Sequence, residues 1–385
     1  MPIYFDHAAT TTMVEPAIAA LTDAIKKLGN ASSLHSAGRS VRKDLEQARE
    51  QIAQAIDCAP SEVIFTATGT EANNLAIKGL YWLGVKKNKK VIITSTFEHH
   101  AVADPITWLA EHEGAQVVAI DVDRNGFIDL KQLAAQVEEH KNNIALISIM
   151  HANNEVGTIQ DINQVVKIAG DIPVHSDCVQ SFGKVELSFK ELGLTAATIS
   201  AHKIGGPLGV AALILKRGLD IEPILHGGGQ ERDIRSGTFN APSILAFAAA
   251  ATESASQFKD RSVVVRKLKQ SLVEVVKKNI SDAWVNGDQG NSLPGIVSIT
   301  FPRSDSEGLL LLLDSEGIAC STGSACSAGV QRPSHVLLAM GLSEDETTST
   351  LRFSLSHSNT IAEIEKLGAV IASVVERSRA ASGKK

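Results

Sequence analysis

The sequence predicts an α/β protein with a large domain, built on a mostly parallel sheet covered by helices, and a smaller α+β domain. Three observations lead to this prediction. In the first two thirds of the chain, short apolar runs of strand length alternate with runs of helical period, which is typical of parallel strands joined by helices. From about Ser254 onward, this alternation gives way to a long amphipathic helix followed by mixed elements. The length of 385 residues suits about two domains.

The large domain is predicted element by element from this alternation. Strands are expected at 63–65, 91–94, 117–120, 144–150, 174–177 and 196–199, and helices at 71–82, 105–113, 130–139 and 162–169. The apolar run 211–215 follows a Gly-Pro turn, so we expect it to return antiparallel to the strand before it.

The small domain is predicted from the elements after Ser254. Helices are expected at 263–277, 309–313 and 361–378, and strands at 296–301 and 351–355. We therefore divide the chain into an N-terminal arm at 1–15 that packs on the small domain, a large domain at 16–253 and a small domain at 254–385. The last residues are expected to fray.

Composition and charge indicate an ordinary globular protein. Hydrophobic residues make up 44% of the chain, charged residues 21%, and the formal net charge is −6. This balance favours neither nucleic acid nor a membrane surface as a direct partner, no apolar run is long enough to cross a bilayer, and the N-terminus lacks the features of a secretory signal. The cysteines are therefore expected to be free thiols in a reducing compartment, and the expected location is cytoplasmic.

The most informative stretch is 200–207, Ser-Ala-His-Lys-Ile-Gly-Gly-Pro, which follows an apolar run and ends in a turn. This pattern places Lys203 at the end of a strand. Asp177 stands 26 residues earlier, at the end of another predicted strand. A lysine that forms a Schiff base and an aspartate that pairs with a pyridinium nitrogen are the groups that pyridoxal phosphate most needs. Either residue alone would more simply be a surface lysine or a turn aspartate, but the pair in this order indicates a pyridoxal-phosphate site.

A candidate phosphate site lies at 66–73, Thr-Ala-Thr-Gly-Thr-Glu-Ala-Asn, between a predicted strand and a predicted helix. Small hydroxyl residues and a glycine there expose backbone N–H groups at a helix N-terminus, which suits a phosphate. Alone, the motif is better explained as a threonine N-cap with a glutamate in the first turn. Upstream of Asp177 and Lys203 in an alternating fold, it becomes the natural phosphate cradle.

Polar residues at three further strands are candidates for the same site. His99 follows a strand and could stack on a cofactor ring or move protons, although a surface histidine pair is an equally good interpretation. Residues 151–157, His-Ala-Asn-Asn-Glu-Val-Gly, could donate to a phenolic oxygen on a cofactor or form a polar loop. Arg352 lies in an alternating strand, where an inward side chain can hold a carboxylate and an outward one would be a surface residue.

Two cysteines, Cys320 and Cys326, lie in the run of small residues at 317–329. Their spacing is not usual for zinc, and no histidine completes the ligand pattern. A nucleophilic thiolate is the better interpretation. The alternative is a pair of small buried hydrophobic residues, which suits Cys320 better than Cys326.

Together these motifs resemble the cysteine desulfurases, which are pyridoxal-phosphate enzymes of the class V aminotransferase group. The resemblance covers nearly the whole chain and rests on the ordered motifs at 5–11, 29–35, 65–74, 98–99, 153–155, 177–180, 200–203, 226–232, 235–238, 324–326 and 352–354. It implies the pyridoxal-phosphate transferase type I fold and conversion of L-cysteine to L-alanine, with the sulfur held as an enzyme persulfide. The chain resembles the group with a long, mobile catalytic loop, which serves iron–sulfur cluster assembly or tRNA thiolation.

The resemblance also implies residue roles. Lys203 would form the Schiff base, Asp177 would pair with the pyridine nitrogen, and His99 would stack on the ring and move protons. The residues facing the phenolic oxygen would be Asn154 and Gln180, and those holding the phosphate would be Gly69, Thr70, Ser200 and His202, with Thr238 reaching it from the other subunit of a homodimer. The substrate carboxylate would contact Asn30 and Arg352. Cys326 would be the nucleophile and a candidate transient iron–sulfur ligand, and no resident metal is expected.

The chain departs from the family pattern in places. Ala31 and Ala201 replace a usual proline and a common glycine, Cys178 stands beside the cofactor aspartate, and Cys320 is an extra thiol. The C-terminal tail lacks the apolar, aromatic ending of relatives that dock on scaffolds, which leaves the sulfur-acceptor protein open. A selenocysteine lyase or another class V enzyme is an alternative, although Cys326 argues against transamination. A sulfur-relay or scaffold subunit with a vestigial cofactor site is another, and the intact Lys203 and Asp177 argue against it.

Overall fold

The computed structural model describes residues 2–323 and 333–383. Its strands are β1 Ile3–Tyr4, β2 Val63–Thr66, β3 Val91–Ser95, β4 Gln116–Ile120, β5 Ile144–Ser148, β6 Val174–Asp177, β7 Ala196–Ser200, β8 Ala211–Leu215, β9 Trp284–Asn286, β10 Ile296–Thr300, β11 Ile318–Ala319 and β12 Thr350–Ser354. Its helices are α1 Glu15–Ala24, α2 Ser36–Ile56, α3 Gly69–Val85, α4 His100–Glu113, α5 Leu130–His140, α6 Ile162–Ala169, α7 Phe189–Leu192, α8 Ala241–Asn279, α9 Ser306–Ser315, α10 His335–Ala339, α11 Glu344–Thr347 and α12 Ile361–Ser382.

A seven-stranded sheet in the order β2-β8-β7-β6-β5-β3-β4 forms the centre of the large unit. Strands β3 to β7 run parallel, so their carboxyl ends share one edge of the sheet. Strand β8 lies antiparallel to both β7 and β2, which confirms the predicted return. The strands β5 and β7 are buried along their whole length, as expected for a sheet covered by helices on both faces.

A second, smaller unit contains the antiparallel sheet β12-β10-β9, with α9 and α12 packed on it. The N-terminal segment belongs to this buried cluster, because β1 pairs in parallel with β11 and Phe5 packs against the ring of Phe353. The domain boundaries given above stay a prediction.

Helix α8 is longer than the sequence predicts, with 39 residues instead of the expected 263–277. Its N-terminal part buries Ile244 and Phe247 in the core of the large unit, and its C-terminal part buries Leu268 and Leu272 in that of the smaller one. The first half is rich in alanines that are buried on several sides. A helix whose buried face changes along its length has no single amphipathic stripe, so periodicity finds only the second half.

Helices α1 and α2 and the short strands β1, β9 and β11 were not predicted. Helix α2 shows its period in Val41, Leu45 and Ile52, which are buried, and it is capped by His35, whose Nδ1 accepts a hydrogen bond from the Gly38 N–H. Across residues 2–323 and 333–383, no helix is both long enough and apolar enough to span a membrane.

Candidate active site

The carboxyl edge of the seven-stranded sheet opens into a cleft of ≈ 470 Å³, and the smaller unit forms its opposite side. Carboxyl ends of strands in open α/β sheets are where ligands bind. The predicted site residues that line the cleft are Gly69, Thr70, His99, Asn154, Asp177, Gln180, Ser200, His202, Lys203 and Arg352. The fold therefore gathers in one place side chains that lie up to 283 positions apart, from Gly69 to Arg352.

Lys203 lies on a single 3₁₀ turn, Ala201–Lys203, directly after β7. Its Nζ donates to the carbonyl oxygens of Ala8 at 2.6 Å and Ala9 at 2.7 Å. Burial, with a further contribution from Arg352, lowers the pKa of Lys203 to about 8. Because only the neutral amine is a nucleophile, this lowered pKa suits Schiff-base formation near neutral pH.

Asp177 ends β6 with its carboxylate buried and fixed on both oxygens. Oδ2 accepts from Asn73 Nδ2 at 2.8 Å, and Oδ1 accepts from the Val179 N–H at 2.9 Å. The neighbouring Cys178 is fully buried, and burial raises the pKa of its thiol to about 12. The carboxylate is therefore held rigidly at the cleft, while the thiol beside it is not a nucleophile.

His99 is the N-cap of α4, and its Nδ1 accepts from the Ala101 N–H at 3.0 Å. This bond leaves the ring proton of a neutral imidazole on Nε2. Burial, opposed by Asp177 and assisted by Lys203, lowers the pKa of His99 below its ordinary value. The imidazole is therefore neutral near pH 7 and can exchange a proton through Nε2.

The N-terminus of α3 forms the phosphate end of the cleft. Thr68 caps the helix by accepting from the Glu71 N–H at 3.0 Å, and the first-turn N–H groups at Gly69 and Thr70 have no intrahelical partner. A Cβ on Gly69 would lie 3.1 Å from Val179 Cγ2, so a side chain there would crowd the cradle. The N-terminus of this 17-residue helix, which begins at the cradle, suits a phosphate.

Arg352 extends from β12 on the opposite side of the cleft and is 6% exposed. Its Nη2 donates to Asp6 Oδ1 at 2.8 Å and its Nη1 donates to the Asn154 carbonyl at 2.9 Å. Within the described residues, the buried Nε of Arg352 and the buried Oδ1 of Asn154 have no hydrogen-bond partner. Buried polar atoms without partners in a cleft indicate that a polar ligand belongs there.

Of the predicted site residues that the structure describes, two are not brought into this cleft. Asn30 is exposed, its Oδ1 accepts from the Ser32 N–H at 2.9 Å, and it does not line the cleft of the single chain, nor does Thr238. Cys326 lies outside the described residues. Their roles stay predictions.

Cys320 packs in the core of the smaller unit, as its sequence context predicts. It is 9% exposed and belongs to the same cluster as Phe5 and Phe353. Burial, with a further contribution from Asp6, raises the pKa of its thiol to about 12. A thiol that stays protonated at neutral pH is a poor nucleophile.

Several residues in or beside the cleft have no role that the sequence predicts. Asn73 lies one helical turn after Gly69 and therefore on the same face of α3, which is a signal that spacing offers. Glu155 is buried, burial raises the pKa of its carboxyl group, and its Oε2 accepts from Ser334 Oγ at 2.6 Å. Asp6, which accepts from Arg352, comes beside the cleft only through the pairing of the N-terminal segment with the smaller unit, which no local signal shows.

These residues fit pyridoxal phosphate: a lysine with a lowered pKa, a fixed carboxylate, a helix N-terminus with a glycine cradle, and buried polar atoms in need of partners. Fold and cleft together define a pyridoxal-phosphate enzyme of fold type I.

The comparisons with known proteins give the same class. Residues 3–367 match the family model of the class-V aminotransferases. The IscS-like cysteine desulfurase of Mycobacterium tuberculosis is 44% identical over 384 residues, 98% of each chain, and the cysteine desulfurase IscS of Dictyoglomus turgidum is 40% identical over 99% of this chain and 96% of its own. The solved structure of a NifS-like protein superimposes with a TM-score of 0.91 at 34% identity, covering 98% of this chain and all of the other. The chain belongs to the class V aminotransferase family and, within it, to the pyridoxal-phosphate-dependent cysteine desulfurases.

Proposed function

We propose that this enzyme converts L-cysteine to L-alanine and places the sulfur on Cys326 as a persulfide, from which it passes to an acceptor protein for iron–sulfur cluster assembly or tRNA thiolation. The observation that carries the proposal is the position of Lys203 and Arg352 in one cleft, an amine for the cofactor and a guanidinium for the carboxylate of an amino acid. The solved structure of SspA in complex with cysteine, 32% identical over 93% of this chain with a TM-score of 0.79, supports L-cysteine as the substrate.

The residues of the cleft divide the work. Pyridoxal phosphate, when bound, supplies the carbonyl that captures the substrate amine and the ring that accepts electrons. Asp177 would pair with the ring nitrogen of the cofactor and keep it protonated, since its carboxylate is fixed by Asn73 and the Val179 N–H. Arg352 holds the substrate carboxylate by charge-assisted hydrogen bonds, and neutral His99 accepts or returns a proton at Nε2.

The sulfur step balances without an added oxidant or reductant. The Cys326 thiolate attacks the substrate sulfur, so an S–S bond forms while the C–S bond breaks. The electron pair of the broken bond goes to the substrate carbon, which takes up a proton. Enzyme thiol and cysteine therefore become enzyme persulfide and alanine. The acceptor then takes the outer sulfur by a thiolate attack of the same kind as disulfide exchange.

The thiol assignment is tested with serine variants. The Cys326→Ser enzyme should keep the colour of the bound cofactor and lose sulfide release from cysteine. Cys58→Ser is the matched control, because burial raises the pKa of the Cys58 thiol to about 12 and it lies outside the cleft. Unchanged sulfide release by Cys326→Ser would contradict the proposal.

The proposal includes a cytoplasmic homodimer in which Thr238 reaches the phosphate of the partner's site. Exposed Leu28, Leu34 and Leu208, which are 90%, 89% and 70% accessible in the single chain, support a protein contact on this chain. The cytoplasmic location is supported by the free thiols of Cys58, Cys178 and Cys320, because cysteines stay reduced in that compartment.

Subunit mixing tests the shared site. A heterodimer of Thr238→Val and Lys203→Ala protomers contains one site with neither lesion, so each heterodimer should regain up to half of the parent activity. In a random equal mixture about half of the dimers are heterodimers, so the mixture should regain up to about a quarter. A monomer with full activity, or mixing without recovery, would contradict the shared site. Fractionation of the source cells, with antibody detection of the chain, tests the location.

A further inference from the structure

Lys184 lies directly behind the cleft. It lines a second, smaller cavity of ≈ 100 Å³ that also borders Lys203, and it does not line the cleft itself. Its Nζ donates to Gln180 Oε1 at 3.0 Å. Among residues 2–323 and 333–383, no carboxylate forms an ion pair with Lys184. A mostly enclosed lysine that donates to a neutral amide calls for an explanation.

The orientation of the Gln180 amide gives that explanation. A lysine amine contacts the amide as a donor, so the atom facing Lys184 is the oxygen. On the other side, Gln180 Nε2 donates to the Ala8 carbonyl at 2.9 Å, and a carbonyl can only accept. Both neighbours therefore select the same orientation of the amide, and the second Nε2 hydrogen stays available at the cleft, which Gln180 lines.

We propose that Lys184 is a positioning residue of the cofactor site, which holds the Gln180 amide with an N–H group toward the cleft as a donor for the phenolic oxygen of pyridoxal phosphate. The same carbonyl of Ala8 also accepts from Lys203, so Lys184, Gln180 and Lys203 form one hydrogen-bonded chain. When Lys184 is protonated, its charge also polarises the amide and makes Gln180 a stronger donor.

The charges around Lys184 agree with this role. Burial, with further contributions from Lys203 and Arg352, lowers the pKa of Lys184 to about 7. The other titratable groups that face the same cavity are His7, Arg261 and His357, all of them basic. Both the ammonium and the neutral amine carry N–H donors, so the bond to Gln180 does not require one protonation state.

The inference rests on the proposed place of the cofactor in the cleft, and its test uses the holoenzyme. The readout is the pH midpoint of the visible absorption band of the bound cofactor. A donor to an anionic oxygen stabilises that anion, so its loss favours protonation and moves the midpoint upward. Lys184→Met should raise the midpoint by about 0.5 to 1 pH unit, because it weakens the bond from Gln180 without removing it, whereas loss of a whole hydrogen bond to a charged group is worth about 1 to 2 pH units. Lys184→Arg should restore a midpoint near that of the parent, and Lys190→Met, which removes an exposed lysine, should leave it unchanged.

A double mutant separates positioning from a direct charge effect. Gln180→Leu should raise the midpoint at least as much as Lys184→Met, and the Lys184→Met/Gln180→Leu enzyme should match Gln180→Leu alone, because Lys184 acts through Gln180. The double variant also replaces both partners by apolar groups, so it folds even if Lys184→Met alone does not.

The outcomes are distinct. If Gln180→Leu raises the pH midpoint and Lys184→Met leaves it unchanged, Lys184 is not a positioning residue. The assignment of the cofactor to the cleft then still stands. A further rise on adding Lys184→Met to Gln180→Leu also overturns it, because the lysine would then act on the cofactor directly. If the midpoint changes in neither single variant, the proposed contact between Gln180 and the phenolic oxygen is itself overturned.

Discussion

The two sides of the cleft are built in different ways. The cofactor wall, formed by Gly69, His99, Asp177, Ser200 and Lys203, belongs to the edge of one sheet. The carboxylate wall, which includes Ser321 and Arg352, belongs to the smaller unit. Arg352 is held from behind by Asp6 of the N-terminal segment, in an ion pair between residues 346 positions apart.

This difference separates two kinds of function. The cofactor wall is fixed by strand ends, a helix N-terminus and short loops, so it is in place as soon as the sheet forms. The carboxylate wall exists only when the smaller unit is held against the sheet, as it is by the bond from Arg352 Nη1 to the Asn154 carbonyl. We expect lesions in the first wall to abolish the chemistry and lesions in the second to weaken substrate binding.

The largest effect is expected at the cofactor wall for Lys203→Ala. Loss of the amine removes the covalent attachment and its proton transfers, so alanine formation should fall about 10³-fold or more. Borohydride reduction and peptide mapping of the parent enzyme should place the cofactor on Lys203. Lys216→Ala, at an exposed position, is the control. Label on another lysine would refute the assignment.

A smaller effect is expected at the carboxylate wall for Arg352→Gln. Hydrogen bonds to a charged group are worth about 1.5 to 3 kcal/mol, so kcat/KM for cysteine should fall about 10- to 100-fold, mainly through KM. Arg352→Lys keeps the charge without the planar guanidinium group, so its kcat/KM should lie between those of the parent and of Arg352→Gln. Steady-state kinetics at saturating cofactor measure this, and a change in kcat alone would mean that Arg352 does not hold the substrate.

The sheet behind the cofactor wall should also make the fold sensitive to acid. His175 is fully buried between Ser148 Oγ and Thr198 Oγ1, and burial lowers its pKa to about 4. Because the unfolded state binds the proton first, the contribution of His175 is present above pH 6.5 and is lost as the pH falls toward 4, on the order of 3 kcal/mol. Melting temperatures of the holoenzyme between pH 4 and 7 should show this slope. His175→Gln should make the slope shallower without abolishing it, because burial also lowers the pKa values of His7, His151 and His202 to about 4. His112→Gln, at an exposed position, should leave the slope unchanged, and equal slopes in all three enzymes would contradict the assignment.

The same difference between the walls explains what could be predicted from sequence. The parallel sheet, the antiparallel return of β8 and the grouping of His99, Asp177 and Lys203 follow from apolar runs that end in polar residues, because parallel strands place their carboxyl ends together. The resemblance to a family supplied the roles, which the residues alone left open.

The rest depends on contacts that no local pattern encodes. Asp6 contacts Arg352 because β1 pairs with β11. Helix α8 was found only in part because its buried face changes where it passes from one core to the other. These features depend on which units pack together, which the sequence alone does not show.

The smallest effect on turnover is expected for Cys320→Ser, which compares two thiols only six positions apart. Cys320 belongs to the core behind the carboxylate wall, and its raised pKa keeps it protonated. A serine there buries a hydroxyl group in apolar surroundings, which should cost about 1 to 3 kcal/mol of unfolding free energy. Sulfide release should stay within about twofold of the parent, as for a substitution remote from the reacting atoms.

Urea denaturation and sulfide assays on Cys320→Ser and Cys326→Ser together test this contrast. The Cys320→Ser enzyme should lose stability and keep its turnover, and the Cys326→Ser enzyme should keep its stability and lose its turnover. If Cys320→Ser stops sulfide release while Cys326→Ser does not, the sulfur passes through the buried thiol and the assignment of the two cysteines is reversed.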